Sequence, residues 1–402
     1  MTEPASREIE AFRIEARDWL EANLPPSLRA DPSAVSAAMV DGAVPTADVL
    51  VWRRRMAERG WGVPTWPRRY GGGGLNAEQA QVLAEEMARI DARNPIGGLG
   101  VMMFGPTLLE FGDEAQLARH IPPIAAFEQR WCQGFSEPGA GSDLASLQTR
   151  AIDRGDHFQV TGQKLWTTGG QYADWCFCLV RTDPDARKHD GISFLLIDMR
   201  SPGVEVRPLT LISGDSSFCE IFFTDVLTPK ENLVGPLNGG WAIAKRLLQH
   251  ERQATSAGAS PLGVQSSLAI EDMARDYVGL DDAGRLSDGD LRGRITRHLM
   301  EARAFRLTHA RAIEESRAGG GPSAASSILK TLGSEFRQAQ AELTLELMGH
   351  RGLGWSGDSF AAHEVAATRT WLRGKSGSIA GGSNEIQNNI VAKRLLGLPD
   401  PT

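Results

Sequence analysis

A glycine-rich segment near the middle of the chain holds the first residues that could form a ligand site. Residues 131–143 read WCQGFSEPGAGSD, which places Ser136 at the end of an apolar run. Gly139 and Gly141 have no β-carbon, so the backbone there can come close to a ligand. Ser136 and Ser142 offer hydroxyl groups, and a simple turn cap is the alternative role for each serine. The segment indicates a turn whose backbone could contact a bound molecule.

A second segment places an aromatic ring and a hydroxyl group at the end of a predicted strand. Residues 162–170 read GQKLWTTGG, with Trp166 between Lys164 and Thr167. That position suits the wall of a ligand site better than a hydrophobic core, although a core aromatic is the alternative. We therefore predict that the Trp166 ring borders a bound group.

A third segment lies close to the C-terminus, where residues 378–389 read SIAGGSNEIQNN. Gly381, Gly382 and Ser383 precede the last predicted helix. The first backbone N–H groups of a helix have no partner within it, and they suit an anionic or oxygen-rich ligand. A surface N-cap is the alternative role of Ser383, and the two roles are compatible.

One carboxylate lies where it could act as a base. Residues 248–254 read LQHERQA on a predicted helix and bring Glu251 next to Arg252. Burial in an apolar pocket would raise the pKa of this glutamate toward the range useful for proton transfer. For an isolated Glu-Arg pair, a solvated helix face is the more common role. The residues by themselves leave both interpretations open.

The elements that must position these residues begin with helices in residues 1–128. Apolar residues recur there at helical spacing in three stretches. The predicted helices are Glu8–Ala22, Val49–Arg59 and Ala77–Ile90. Asn76, followed three residues later by Gln79, predicts a capping box for the third helix.

The pattern changes in residues 129–235, where short runs of β-branched and aromatic residues are bounded by Gly, Pro, Asp and Asn. The predicted strands are His157–Thr161, Trp175–Arg181, Ile192–Asp198, Val204–Pro208 and Glu220–Phe223. Their spacing is typical of an antiparallel barrel or sandwich. Because the strands do not alternate with helices, a doubly wound parallel sheet is disfavoured.

Residues 236–402 return to helical periodicity. The predicted helices are Trp241–Tyr277, Asp290–Arg317, Ser323–Met348, Phe360–Arg373 and Glu385–Leu396. The first four are long enough for a bundle with short loops. The fold class is therefore α+β and multidomain, with an N-terminal helical domain, a middle β domain and a C-terminal four-helix bundle.

Length, charge and hydropathy exclude several classes of protein. The chain has 402 residues, 41% of them hydrophobic, which is enough for two or three domains. The net charge is −7 and no block of Lys or Arg stands out, which argues against nucleic acid as a partner. No run approaches the ~18 apolar residues of a membrane span, and the N-terminus lacks a signal or transit pattern. We expect a soluble cytoplasmic protein.

The four cysteines are expected to be buried, reduced thiols. They are Cys132, Cys176, Cys178 and Cys219. No pair has zinc-finger spacing and no His-rich tract lies nearby, so no metal site is predicted. Reduced thiols fit a reducing compartment.

Three of these segments together resemble one enzyme family. SEPGAGSD, GQKLWTT and GGSNEIQNNIVAKRLLG occur in this order, within an α, β, α organisation, and resemble the acyl-CoA dehydrogenase family over nearly the whole chain. Three separated matches are far more specific than one glycine motif. The resemblance implies FAD as cofactor and the removal of two hydrogens from the α and β carbons of an acyl-CoA or carrier-bound thioester. It also implies fatty acid β-oxidation and an electron-transferring flavoprotein as acceptor.

The resemblance also assigns roles to individual residues. It implies that Phe135 and Ser136 contact the flavin, that Trp166 covers one side of its ring, and that Thr168 hydrogen-bonds near N5. Residues that resemble cofactor contacts in the C-terminal part are Gly349, Gly381, Ser383 and Glu385. Ser142 resembles the position near the pantetheine and phosphate end of the thioester.

The position of the base differs from that in many family members, which carry it in a Tyr-Glu-Gly-Thr segment. The matching residues here are 380–383, so Gly381 stands where the glutamate would be. Isovaleryl-CoA-dehydrogenase-like members instead carry the glutamate on the first long C-terminal helix, at the position of Glu251. The resemblance therefore implies that Glu251 takes the α-proton. Arg252 resembles a position near the base and the CoA moiety, with a simple ion pair as the alternative.

Two segments depart from the family pattern. The usual Arg-x-x-Phe-Gly segment is absent, and only Arg275 could hold its place. A usual Gln-x-x-Gly-Gly-x-Gly becomes ELMGHRG, which starts at Glu346 and includes Gly349. Arg351 or Arg285 could supply the charge for the FAD pyrophosphate. Some relatives share sites between unlike subunits, so the chain is either a homodimer or homotetramer, or a cofactor-poor subunit of a heteromeric enzyme. A flavin monooxygenase on the same fold is a further alternative.

Overall fold

The computed structural model of the protein describes residues 3–39, 42–256, 269–319 and 326–399. The chain forms two compact units. The first comprises Met1–Leu209 and Ser217–Pro261, and the second comprises Thr210–Ser216 and Leu262–Thr402.

The first unit begins with helices that enclose a hydrophobic core. They are α1 (Glu3–Asn23), α2 (Pro26–Ala30), α3 (Ser33–Ala37), α4 (Ala47–Glu58), α5 (Ala77–Arg89), α6 (Gly105–Phe111) and α7 (Glu114–Ala125). The predicted capping box is confirmed: Asn76 Oδ1 accepts from the Gln79 N–H at 2.8 Å, and Gln79 Oε1 accepts from the Asn76 N–H at 3.1 Å. Periodicity did not predict α2, α3 and α6, which are too short to show it, or α7, which contains Pro122 and Pro123.

The strands of the first unit form a single eight-stranded sheet within the described residues, in the order β6-β7-β3-β2-β4-β5-β8, with β1 beside β4. They are β1 (Trp131–Gly134), β2 (Arg150–Asp153), β3 (His157–Thr168), β4 (Trp175–Arg181), β5 (Ile192–Asp198), β6 (Val204–Leu209), β7 (Phe218–Pro229) and β8 (Leu233–Val234). The β4 and β5 predictions are confirmed at both ends, because each strand is an apolar run buried on both faces. Most neighbours are antiparallel as expected, but β1 and β2 pair with β4 in parallel.

Strand β3 runs seven residues beyond its predicted end at Thr161, through Thr168. Its pairing with β7 shifts register between Lys164 and Thr167, where two residues of β3 face a single residue of β7. This is a β-bulge, which bends a strand and changes the direction of its side chains. The bulge contains Trp166, whose φ of 62° is left-handed.

Helix α8 (Gly240–Ser256) completes the first unit. Its buried residues Ile243, Ala244 and Leu247 join the core of the N-terminal helices. It packs against β5, α6 and a π-helical turn, Gly100–Phe104. We predicted one helix over Trp241–Tyr277, but the segment between α8 and the next helix lies outside the described residues.

The second unit contains α9 (Ile270–Tyr277), α10 (Gly289–Gly319), α11 (Ser326–Met348), α12 (Ala362–Gly374) and α13 (Asn384–Ile390). Helix α11 packs against α9, α10, α12 and α13. The α+β class is confirmed. The division of the chain into domains 1–128, 129–235 and 236–402 stays a prediction.

Candidate functional site

The turn after β1 is closed by its own backbone and open on its outer side. Glu137 and Ala140 exchange two N–H···O=C hydrogen bonds, at 3.0 and 3.1 Å. A β-carbon added at Gly139 or Gly141 would meet no atom within 4 Å. Ser142, in the same loop, is exposed. The turn therefore offers backbone and a hydroxyl group to a ligand, as its composition predicted.

The end of β3 carries an exposed aromatic ring. Trp166 is 55% exposed, so the alternative of a core aromatic is wrong. Its indole contacts only one other ring among the described residues, that of Phe218, which is perpendicular to it with 6.1 Å between centroids. Thr168 is half-buried and lies opposite Phe218 in the sheet. The bulge thus turns a large apolar surface outward beside a hydroxyl group.

The structure brings these two segments together. The Leu165 N–H donates to the carbonyl oxygen of Ser136 at 2.8 Å. Ser136 is therefore hydrogen-bonded to the residue that precedes Trp166. Phe135, which precedes Ser136, is buried, with 5% of its surface exposed. A half-exposed indole next to serine and threonine hydroxyls suits a flat apolar ring system with polar edges. The isoalloxazine of FAD is such a group, so the residues present fit it.

Helix α8 lies in the same unit, and Glu251 is in its C-terminal part. The side chains of Glu251 and Arg252 lie outside the described residues. The turn before them is described: Arg246 and His250 both contact the Glu110 carboxylate of α6. Burial, together with the nearby Arg246, lowers the pKa of His250. This arrangement anchors the α8 turn that precedes Glu251.

In the second unit, Ser383 is the N-cap of α13. Its Oγ accepts from the Ile386 N–H at 3.4 Å, so the cap predicted as an alternative is present. Gly381 has a φ of 66°, which favours glycine, and an added β-carbon there would meet no atom within 4 Å. Glu385 is exposed, and hydrogen bonds from its own backbone and from Ser383 lower its pKa. This loop remains open to a ligand.

The segment that departs from the family pattern contains an ion pair. Arg294 Nη1 and Nη2 each lie 2.5 Å from a carboxylate oxygen of Glu346. Gly349, one turn later, is exposed with a φ of 55°. The sequence did not predict this pair, because its partners lie 52 residues apart.

The arginines that could supply a charge for the FAD pyrophosphate are each paired within the second unit. Arg275 donates to Asp272 at 2.8 Å, and Arg285 lies 3.7 Å from Asp281. Arg351 donates to the Ser359 carbonyl oxygen at 2.6 Å.

Sequence reasoning also missed a buried ion pair beneath the first-unit site, between Glu137 and Lys164 at 2.7 Å. The only available signal was a lysine followed directly by two apolar residues, Leu165 and Trp166, near a strand end. In the described ranges, no helix is long and apolar enough to cross a membrane. Nor do His, Cys, Asp and Glu side chains of those ranges form a group of three that could hold a metal. The four cysteines all lie in the described residues, where they are buried and none forms a disulfide.

Three family models match the chain in order. The N-terminal domain of acyl-CoA dehydrogenase matches residues 6–128, its middle domain residues 132–226, and its C-terminal domain residues 238–396. The chain is 34% identical over 393 residues to acyl-CoA dehydrogenase IpdE1 of Mycobacterium tuberculosis, covering 98% of each. It is 39% identical over 346 residues to acyl-CoA dehydrogenase FadE34 of the same organism, covering 86% of this chain but 45% of FadE34.

Two solved structures show the same fold over almost the whole chain. The Tcur3481-Tcur3483 steroid ACAD is 27% identical with a TM-score of 0.74, covering 100% of this chain and 99% of that one. The ChsE4-ChsE5 complex from Mycobacterium tuberculosis is 28% identical with a TM-score of 0.73, covering 98% of each chain.

Proposed function

The chain belongs to the acyl-CoA dehydrogenase family of FAD-dependent oxidoreductases, and we propose that it desaturates an acyl thioester to the trans-2-enoyl thioester with Glu251 as the base. The observation that carries this proposal is the hydrogen bond between Leu165 and Ser136, which joins Ser136 to the end of β3 that carries Trp166 and Thr168, in the unit that also contains α8. The geometry supports a flavin ring against Trp166, in front of Phe135.

FAD, when bound, accepts the hydride that leaves the β-carbon of the substrate. In this proposal Phe135 and Ser136 contact one part of the ring, and Trp166 covers one of its sides. Thr168 supplies a hydroxyl group near N5, where a donor stabilises charge as it develops. The resemblance implies that Gly349, Gly381, Ser383 and Glu385 of the second unit are also FAD contacts.

The α-proton requires a carboxylate, and Gly381 cannot supply one. Glu251 is the complementary candidate, because it lies on α8 close after the turn anchored to Glu110. Burial of its carboxylate by the acyl chain would raise its pKa toward the range in which it exchanges protons. Ser142 and Arg252 bind the CoA part of the thioester.

The Glu251→Gln variant tests the base. We expect FAD to remain bound, while bleaching of the flavin by acyl-CoA slows about 10³-fold, the scale of general-base catalysis. Glu58→Gln, at an exposed position of α4, serves as the control. Normal bleaching by the Glu251 variant would exclude it as the base. A flavin monooxygenase needs no α-proton base, so it would not show this loss.

A heteromeric assembly is the second candidate, favoured by two observations. Both solved neighbours carry the names of two different chains, Tcur3481-Tcur3483 and ChsE4-ChsE5. In this chain, the FAD pyrophosphate segment is altered, and Glu346 is paired with Arg294. We propose that an unlike family member completes the FAD site, and that the substrate is a steroid-derived acyl-CoA. If this chain purified alone is yellow, with one FAD per subunit, the heteromer is unnecessary and a homo-oligomer is favoured.

The physiological acceptor that we propose is an electron-transferring flavoprotein. A screen of acyl-CoAs that follows flavin bleaching would identify the substrate. Steroid side-chain thioesters should bleach the flavin faster than straight-chain thioesters of equal length.

A further inference from the structure

A charged pair is buried directly beneath the candidate flavin site. The Lys164 side chain is 0% exposed and that of Glu137 is 7% exposed, with 2.7 Å between Nζ and Oε1. Burying the two charges away from water costs roughly several kcal/mol per ion. The attraction between them offsets this cost only when further hydrogen bonds are made. Stability alone therefore gives little reason for such a pair.

Each partner also binds the backbone of a neighbouring segment. Lys164 Nζ donates to the Phe135 carbonyl oxygen at 3.2 Å. The Glu137 carboxylate accepts from the Gln148 N–H at 2.6 Å and from the Thr149 N–H at 2.9 Å. The pair thus joins β3, the turn after β1, and the chain before β2.

The pair lies next to the two features that shape the site. Lys164 is the last residue of β3 in register before the bulge that turns Trp166 outward. Across from it, the Leu165 N–H binds the Ser136 carbonyl oxygen. Three hydrogen bonds therefore hold the Phe135–Glu137 segment against the Lys164–Trp166 segment. Each of these segments is only three residues long.

The Glu137 carboxyl is stabilised in its ionised form in the folded protein. Burial favours the protonated carboxyl, but Lys164 and the donors Thr149 and Gln148 outweigh it, and the pKa of Glu137 is lowered.

We propose that Glu137 and Lys164 are positioning residues for FAD, which fix the backbone of Phe135 and Ser136 relative to Trp166 and Thr168. This inference rests on the proposed role of those four residues as flavin contacts. The pair touches neither the cofactor nor the substrate and acts through the main chain on which the contacts are carried.

The test is a double variant, Glu137→Gln with Lys164→Met, which removes both charges and keeps the side-chain lengths. A single substitution would leave one charge buried and unpaired and could prevent folding. The matched control is Glu205→Gln with Arg207→Met, an exposed pair on β6 with the same 2.7 Å separation. Three properties are measured for each protein: the cooperativity of unfolding without FAD, the dissociation constant for FAD, and the visible circular dichroism of the bound flavin.

We expect the double variant to unfold cooperatively but to bind FAD about tenfold more weakly, which corresponds to about 1.4 kcal/mol. The visible circular dichroism should change, since it reports the surroundings of the ring, and the control should match wild type in all three measurements. Wild-type FAD affinity and circular dichroism in the folded double variant would overturn the proposal.

Two further variants keep the result interpretable. The double variant Glu137→Gln with Lys164→Gln places neutral amides at both positions, and it replaces the first double variant if that does not fold. Failure of both to fold would make the pair a folding requirement and overturn the positioning role. Trp166→Ala tests the proposed site itself. If Trp166→Ala binds FAD as tightly as wild type, the proposed site is refuted. If Trp166→Ala binds FAD more weakly but the double variant binds it normally, only the role of the pair is refuted.

Discussion

Arg246 of α8 and Glu110 of α6 form a two-point ion pair, with Nε and Nη2 each 2.7 Å from a carboxylate oxygen. His250 Nε2 adds a third contact to Glu110 at 3.1 Å. Two parallel N–H···O bonds fix orientation as well as distance. The pair therefore sets the direction of the α8 turn that leads into Glu251.

The Arg246→Met variant should slow flavin reduction without loss of FAD. Both partners are more than a third exposed, so the pair contributes at most about 1 kcal/mol to the free energy of unfolding. Its effect on geometry is larger, because a small displacement of a catalytic group can slow a reaction up to ~100-fold. We expect about tenfold slower bleaching in stopped-flow measurements, on the same scale.

The matched control is Arg207→Met, which removes the exposed Arg207–Glu205 pair on β6. It should leave the bleaching rate unchanged. A normal rate in the Arg246 variant, at normal FAD content, would show that the ion pair does not position the base.

Trp166→Gly should separate FAD binding from folding. A non-glycine residue at a φ of 62° costs roughly 1–2 kcal/mol, which glycine avoids, and the exposed indole contributes little packing. We therefore expect the FAD-free protein to melt at the wild-type temperature or higher, while FAD binds at least ~10-fold more weakly. Trp166→Phe should lose less affinity.

Leu227→Ala provides the control for Trp166, since Leu227 is 59% exposed on β7 of the same sheet. It should change neither the melting temperature nor FAD affinity. If Trp166→Gly bound FAD as tightly as wild type, the ring would not border the cofactor.

The sequence predicted the site where chemistry and local pattern coincide, and it failed where distant segments meet. Trp166 was assigned to a ligand wall from its place at a strand end, and its exposure agrees. Lys164, two residues earlier, would ordinarily be placed in solvent, because lysines are rarely buried. Its burial depends on the register between β3 and the turn after β1, which no local pattern contains.

The same reasoning explains the errors in the strands. Strands β4 and β5 are continuous apolar runs, so their ends could be read directly. The second half of β3 contains a bulge that interrupts the alternation of buried and exposed residues, and the prediction stopped before it. Strand β2 has four residues, three of them exposed, and offers almost no hydrophobic signal.

Glu346→Gln should have little effect on FAD binding, although it restores the residue usual in the family. Arg294 already neutralises Glu346, so we expect less than a threefold change, on the scale of a surface pair. Arg294→Met leaves an unpaired carboxylate, which would repel a nearby pyrophosphate, and should weaken binding about fivefold at low salt. The loss should shrink at high ionic strength.

Glu342→Gln is the control for Glu346, because Glu342 lies one turn earlier on α11 and pairs with Lys375 at 2.5 Å. Its FAD affinity should equal that of wild type. A salt-independent loss in the Arg294 variant would contradict an electrostatic cause.

The last prediction concerns His120, which is 1% exposed between the rings of Trp131 and Trp175. Burial, with a smaller contribution from Arg119, lowers its pKa from 6.5 to about 4. The unfolded chain therefore binds a proton more tightly than the folded protein, so stability is fully present above pH 6.5 and falls as the pH drops toward 4. Between about pH 7 and pH 5, this contribution amounts to about 2 kcal/mol.

Urea unfolding of His120→Gln at both pH values checks this. Between about pH 7 and pH 5, the free energy of unfolding should fall by about 2 kcal/mol less in the variant than in wild type. This difference does not depend on the absolute stability of the variant. Glu86 is bound by three arginines, which lower its pKa to about 2. Its contribution to the free energy of unfolding is therefore lost only below about pH 4.5, outside the pH range of this experiment. Leu227→Ala, at an exposed position without a titratable group, should keep the wild-type pH dependence. Equal pH dependence in wild type and His120→Gln would mean that His120 is protonated as easily in the fold as in the unfolded chain.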